Sequence, residues 1–513
     1  MNKTKQQIIR AILFLLLLLL TITPIFSQVD RLNNLDAYVQ QAMKDWQVPG
    51  LAIGIVKDDS LIFARGYGVR EIGKAAKVDE HTIFAVASNT KAFTASLLAM
   101  LVDEGKINWD DHVVDYMKDF QMYDPYVTRD IRIHDLLTHR SGLPTFGGDH
   151  LWIGSERSRE EIILRILYLK PSAPFRTKYQ YQNLMFLVAG QLIPAIIGQS
   201  WDDAIKERIF KPLGMAESIT TMEELGREKN VATPHEIVAG KVAAVEYDFT
   251  DNTAPAGAIK SNVVDMAKWM RLNLNHGTFN DIRLLSAKVM REMHAVQFPL
   301  PVSSFSEEKF GTQFNGYGFG WGISDYKGRK MISHGGGLSG MISRQVLIPE
   351  ENLGVIVLTN FAPNNLARAL AYWIVDAVLD EPEQDWSLIY LEQKKQADEN
   401  RIKAEKELLT KRIKGTSPSL KLAAYTGKYF DDLSGQAEVR IENDKLVFDY
   451  NPRHIGDLEH WHYNTFRVTW RNPIFDMAPK SFLTFYLDEK GEVEKLKVTF
   501  YDPIFFKKLP DAE

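Results

Sequence analysis

A chain of 513 residues with 45% hydrophobic residues, 25% charged residues and a net charge of −5 has the composition of a globular protein with more than one core. Its nearly balanced charge excludes a protein built along its length to neutralise nucleic-acid phosphates. With no cysteine in the chain, disulfides, thiolate metal sites, thiol nucleophiles and cysteine-linked lipid attachment are excluded as well.

In chain order, Lys3, Lys5 and Arg10 precede the apolar run Ala11 to Phe26, and Ser27 supplies a small residue at a cut. This predicts a signal peptide over residues 1–27 and an exported protein, periplasmic or secreted; an uncleaved amino-terminal membrane anchor is the competing reading. "NLDAYVQQAMKDW" (34–46) predicts an amphipathic helix, stopped by Val48-Pro49-Gly50. "GLAIGIVKDDSLIFARGYGV" (50–69) predicts a hairpin turning at Lys57-Asp58-Asp59-Ser60. A helix running from Ser88 to Gly105 follows, and helical stretches then alternate with Gly- and Pro-rich loops. Strand patterns return in "SRQVLIP" (343–349) and "LGVIVLTN" (353–360). Strands at both ends of this unit with helices between them predict an α+β arrangement: one antiparallel sheet whose termini meet, beside a helical cluster.

A boundary falls at Glu381-Pro382-Glu383, and the charged run 391–414, free of Gly and Pro, predicts a solvated helical linker. "AEVRIENDKLVFDY" (437–450) and "SFLTFYLDEKGEVEKLKVTF" (481–500) read as hairpins of a small all-β domain, barrel or sandwich. The expected organisation is therefore a signal peptide (1–27), a first folded unit (28–380), a linker (381–415) and a β-domain (416–513).

The chemistry concentrates in three short stretches. Ser88 and Lys91 share a helix face, and a serine hydroxyl needs a nearby base to become a nucleophile. Lysine serves when burial lowers its pKa towards neutrality. The same S-x-x-K spacing occurs at Ser306/Lys309 and Ser324/Lys327, in polar surroundings that leave the lysine solvated, whereas Lys91 enters the apolar run Ala92 to Leu98. Tyr181-Gln182-Asn183 adds a phenol able to relay a proton and an amide able to hold substrate. His334-Gly335-Gly336-Gly337 leads into a strand, where glycines leave backbone N–H groups open to a carbonyl oxygen. Gly337-Leu338-Ser339-Gly340-Met341 approaches the nucleophile elbow of α/β-hydrolases, but Met341 replaces the last glycine. His460-Trp461-His462 lacks an evident third metal ligand, and His134 and His139 are assigned to the scaffold.

In this order, Ser88-Asn89-Thr90-Lys91, Tyr181-Gln182-Asn183 and His334-Gly335-Gly336 resemble the motifs of the penicillin-recognising serine hydrolases: class C β-lactamases, D-alanyl-D-alanine carboxypeptidases and their esterase and peptidase relatives. "IRIHDLLTHRSGLP" (131–144), "IFKPLGM" (209–215) and "APAGAIKSNVVDMAKWM" (254–270) extend the resemblance over roughly residues 34–380. "LEHWHYNTF" (458–466) and its surroundings resemble the lipocalin-like domain appended to some of these hydrolases. The resemblance implies a β-lactamase/transpeptidase-like fold followed by a barrel-like domain. It implies Ser88 as the acylated nucleophile, Lys91 as its activator, and Tyr181 as proton shuttle to the leaving group. Asn183, His334 and Gly336 would bind substrate, and the backbone N–H groups of Ser88 and Gly337 would form the oxyanion hole. Histidine at 334 stands where lactamases generally carry lysine, which removes a fixed cation and favours the esterase and peptidase branch. It also predicts a catalytic titration between about pH 5 and 8. Gln182, where small residues are usual, should narrow the cleft.

These observations point to a serine hydrolase acting on small esters, amides or short peptides, with no metal, cofactor or nucleic-acid partner and with the oligomeric state open. A β-lactamase or D-alanyl-D-alanine carboxypeptidase, and a non-catalytic sensor on the same scaffold, are the alternatives.

Overall fold

Two apolar runs without polar alternation, residues 50–57 and 353–359, become the central strands of a sheet covered on both faces. The computed structural model describes residues 32–382, 384–475, 480–500 and 503–510; the signal-peptide segment lies outside the described residues. The main sheet contains β1 (Gly50–Lys57), β2 (Ser60–Gly68), β3 (Phe298–Leu300), β4 (Asn315–Tyr317), β5 (Gly322–Tyr326), β6 (Arg329–Leu338), β7 (Met341–Ile348) and β8 (Leu353–Thr359). Its order is β2-β1-β8-β7-β6-β5-β4-β3, antiparallel throughout. The first hairpin closes against the last strand, with Leu51 opposite Thr359, so the termini of this unit meet as expected.

The period of two sorts the side chains between two cores. Ala52, Val56, Ile356 and Leu358 pack into one cluster, and Leu51, Ile53, Ile55, Val355 and Val357 into the other. Against the first face lie α2 (Thr90–Asp103), α3 (Asn183–Ile197) and α4 (Val263–Leu274); against the second lie α1 (Leu35–Trp46) and α5 (Leu366–Leu379). Residues Thr90 to Leu101 of α2 are all buried, which explains its lack of a polar face.

The charged run forms α6 (Trp386–Thr410), but this helix begins before the expected charged stretch does. Trp386 is fully buried, donates its indole N–H to Asp376 at 2.7 Å, and packs on Phe310 and Tyr372. The packing of the first unit therefore continues past residue 380, because the opening turn of α6 supplies aromatic side chains to its second core. Further along, Glu405 pairs with Arg467, and Arg412 donates to the carbonyls of Trp461 (2.9 Å) and His460 (2.8 Å).

The β-domain is a closed barrel of eight antiparallel strands from Gly427–Asp431 to Pro503–Lys508, sealed where Tyr429 lies opposite Lys508. Alternate residues such as Tyr429, Val439, Phe448, Val468 and Phe506 fill its interior. One end docks on the first unit. His150 places its ring parallel to Phe500 at 6.0 Å and 3.0 Å from the Ser434 hydroxyl; Arg157 donates to the Ser434 carbonyl at 2.6 Å. Arg453 reaches back to Asp248 at 3.0 Å and to the Tyr247 carbonyl at 2.7 Å.

Trp386→Ala should destabilise the first unit by about 3–5 kcal/mol, the usual cost of deleting a buried tryptophan side chain. Thermal and denaturant unfolding check this; an unchanged midpoint would make α6 a solvated linker throughout.

Candidate active site

Ser88 stands in the 3-10 turn Ala87–Asn89 at the entrance to α2, partly open to solvent amid buried neighbours. Ala87 holds a positive φ of 49°, a left-handed conformation that costs an alanine of order 1–3 kcal/mol. Surrounding bonds fix it. Phe84–Ala85 pairs with Lys260–Ser261, Val86 N–H donates to the Ile259 carbonyl at 3.0 Å, and the Ser343 hydroxyl donates to the Val86 carbonyl at 2.7 Å. The Asn89 amide donates to the Ser343 hydroxyl at 2.7 Å, tying the turn to β7.

β6 approaches this turn closely because Gly336 has no side chain. A Cβ there would sit 3.0 Å from Ala87 Cβ and closer still to the Val86 carbonyl and Ser343 hydroxyl oxygens. Gly336 was expected to bind substrate; instead it is buried against the Ser88 turn, and its contribution is close approach. That approach leaves the next residue, Gly337, exposed on the strand that packs against the Ser88 turn.

Lys91, one turn into α2, is fully buried. Its Nζ lies 3.2 Å from Ser88 Oγ, 2.8 Å from Asn183 Oδ1 and 2.8 Å from the Ala256 carbonyl. Burial lowers its pKa to about 7, opposed by the negative charge of Asp149. Asn183 opens α3 and turns its amide both ways: Oδ1 accepts from Lys91, and Nδ2 donates to Asp149 Oδ2 at 2.8 Å. Burial raises the Asp149 carboxyl to about 6. Ser88, Lys91, Asn183 and Asp149 thus form one chain of hydrogen bonds. Asp149 has no fixed spacing to the serine, so nothing in the sequence marked it; its only signal is an acid in the otherwise small and apolar stretch "TFGGDHLW".

Tyr181 stands beside Ser88, and the face of its ring lies 4.8 Å from Lys91 Nζ. Burial holds this phenol far above its ordinary pKa, so it keeps its proton. His139, assigned to the scaffold from the sequence, packs its ring 4.2 Å from that of Tyr181 and accepts the Gln182 N–H at 3.0 Å. It is a support for Tyr181. Gln182 does not narrow the cleft: its fully buried side chain donates to the carbonyls of Pro144 and Gly147, both at 3.1 Å, and caps Leu184 N–H. Phe146, exposed at the rim 5.5 Å from the Tyr181 ring, is a wall that sequence reasoning missed.

His334 lies on β6 with its ring 6.3 Å from that of Tyr181. The imidazole is buried, with Nε2 2.9 Å from the Tyr317 hydroxyl and Nδ1 2.6 Å from the Gly335 carbonyl. Burial, with the charge of Lys91, lowers its pKa to about 3. The expected titration of His334 between pH 5 and 8 is therefore corrected: it stays neutral there, and Lys91 and Asp149 are the groups that change charge near neutrality.

The competing motifs separate. Lys327 is tied to Asp376 at 3.0 Å and Lys309 to Glu308 at 2.9 Å, and neither faces its motif's serine as a buried base. Ser339 and Gly340 form the turn between β6 and β7, held by Asp248 and Glu236, which excludes a strand–turn–helix elbow. The His460 ring is satisfied by the Tyr463 carbonyl at 3.0 Å. Among the described residues, no three metal-type side chains come together.

Comparison with known proteins agrees with this geometry. The β-lactamase family matches residues 35–379, and a domain of unknown function, DUF3471, matches residues 411–510. An unguisins hydrolase of Aspergillus campestris is 30% identical over 411 residues, covering 76% of this chain and 74% of that protein. Penicillin-binding protein 4 of Amycolatopsis lactamdurans is 29% identical over 324 residues, covering 61% of this chain and 81% of that protein. The octameric penicillin-binding protein homologue from Pyrococcus abyssi superimposes with a TM-score of 0.62 over 93% of this chain and all of that one; at 22% identity this likeness concerns the fold. With the β-lactamase match spanning the sheet, both helical layers and every residue of the Ser88 site, the chain belongs to the β-lactamase family.

Proposed function

We propose that this protein is an exported serine hydrolase that opens ester or amide bonds, including short peptides, through an acyl-enzyme on Ser88. The observation that carries the reading is a fully buried Lys91 with its Nζ 3.2 Å from Ser88 Oγ and its pKa lowered to about 7. At neutral pH a large fraction of this amine is free base, whereas Tyr181 remains a phenol. Lys91 is therefore the base and Tyr181 the relay. Ser88 Oγ attacks the carbonyl carbon as its proton passes to Lys91 Nζ. The oxyanion is accepted by the N–H groups of Ser88 and Gly337, where each such donor is worth about 3–4 kcal/mol in the transition state. As the tetrahedral intermediate collapses, the Tyr181 hydroxyl gives its proton to the leaving alkoxide or amine and is reprotonated through Lys91. Water then attacks the acyl-enzyme by the reverse sequence. Asn183 orients Lys91 and offers its amide to substrate. A neutral His334 places no fixed cation in the cleft, which supports uncharged ester and amide substrates over β-lactams bearing a carboxylate. The hydrolase named among the relatives supports the same reading.

Ser88→Ala should abolish turnover of a p-nitrophenyl ester and the mass adduct formed with a fluorophosphonate. Its fold should persist, at a cost of about 1–3 kcal/mol for the Lys91 N–H left without a partner. Turnover that survives Ser88→Ala would refute the assignment. Comparing the ester with a cephalosporin separates this reading from a β-lactamase.

The acid limb of kcat/KM should rise through about pH 7 as Lys91 loses its proton. Asp149 raises the Lys91 pKa, so Asp149→Asn should move that limb to lower pH, while His334→Gln leaves it in place. A limb that follows His334 and ignores Asp149 would make the imidazole, and not the Lys91 amine, the titrating base.

Gly336→Val should reduce kcat by at least 100-fold, because any side chain there forces β6 away from Ser88. Single-turnover acylation measures it; near-normal acylation would mean that Gly337 is not the oxyanion donor.

A further inference from the structure

The serines of the other two S-x-x-K spacings, Ser306 and Ser324, line one cavity of about 430 Å³. It lies on the face of the sheet opposite the catalytic residues. On β6 successive side chains alternate, so His334 faces Tyr181 while Ser333 opens into this cavity. The cavity floor is Arg344 of β7, and Arg368 of α5 stands at its mouth. Thr312 adds a further hydroxyl, and Phe305, Tyr372 and Tyr390 form aromatic walls.

Its charge is one-sided. No aspartate or glutamate lines the cavity among the described residues. Arg344 donates to the Ser333 hydroxyl at 3.0 Å and the Tyr372 hydroxyl at 3.3 Å, both neutral, and its buried Nε has no partner. The main charged neighbour acting on it is Arg368, of the same sign. A half-buried guanidinium with a shielded, unpartnered N–H is ordinarily matched by a carboxylate or phosphate that takes its N–H fork. An exposed arginine such as Arg368 needs no such explanation; Arg344, whose side chain lines the cavity while its shielded Nε has no partner, does. The volume is far larger than an inorganic anion fills, and the aromatic walls suit a carbon skeleton.

We propose that this cavity binds a small organic carboxylate, with Arg344 and Arg368 taking the carboxylate and Tyr372, Tyr390 and Phe305 enclosing the apolar part. The site is separate from Ser88 and independent of the reaction assigned to it.

The test is calorimetric titration of the full chain with benzoate, its neutral isostere benzamide, and inorganic phosphate. Saturable benzoate binding is expected, at least tenfold tighter than benzamide or phosphate. Arg368→Met should weaken it at least tenfold while ester turnover stays within twofold of wild type. Arg344→Met should weaken it as much, and Arg344→Lys partly restore it; because Arg368 is on the surface, its variant keeps the test decisive if Arg344 variants fail to fold. Absence of saturable benzoate binding, equal binding of benzamide, tighter binding of phosphate, or undiminished binding by Arg368→Met would each overturn the proposal.

Discussion

A single amine buried away from solvent organises the Ser88 half of this protein. Lys91 Nζ is held by one hydroxyl, one amide oxygen and one backbone carbonyl, which come from three different segments: the Ser88 turn, the start of α3 and the Ala254–Gly257 helix. Burying such a group is expensive unless every N–H is matched, so the cost is offset only if all three segments arrive together. The same requirement that positions Lys91 therefore positions Asn183 and fixes the entrance of α2. Asp149 sets how far the amine departs from ordinary lysine behaviour, since its charge opposes the effect of burial. Stability and chemistry meet in one atom.

Much of this was legible in the amino-acid order, for a physical reason. Ser88 and Lys91 are neighbours on a helix, where three residues of spacing fixes the geometry locally, and the apolar sequence after Lys91 announces its burial. The sheet was legible in outline because fully buried strands leave continuous apolar runs. Asp149 was not legible, because a lone acid in a loop reaches Lys91 only through Asn183, thirty-four residues later in the chain. Nor was the neutrality of His334: its enclosure depends on Tyr317, on a different strand. Gln182 was misread for the same reason. Its side chain turns inward to carbonyls of the loop at Pro144 and Gly147, a partner that no local pattern discloses. Trp386 was assigned to a linker because the charged residues after it dominate the composition, although the tryptophan itself belongs to the core.

The two faces of the main sheet carry different chemistry through one strand. His334 and Ser333 are consecutive, and pleating sends them to opposite sides, one beside Tyr181 and one above Arg344. A long antiparallel strand thereby serves two cavities without extra elements. The β6–β7 turn that ends it is anchored by Asp248, which is itself bound by Arg453 of the barrel. The barrel thus holds the outer end of the strand that carries Gly337.

The turn Asp149–Leu151 places two adjacent residues in two different domains: Asp149 against Asn183, and His150 against the barrel. The barrel partner of His150, Ser434, lies 284 residues further along the chain. During synthesis from the amino terminus, the Ser88 pocket is complete in sequence long before the groups that brace its acidic corner exist. The corner that carries Asp149 therefore gains its outer brace only from a separate core, far along the chain, folded against it.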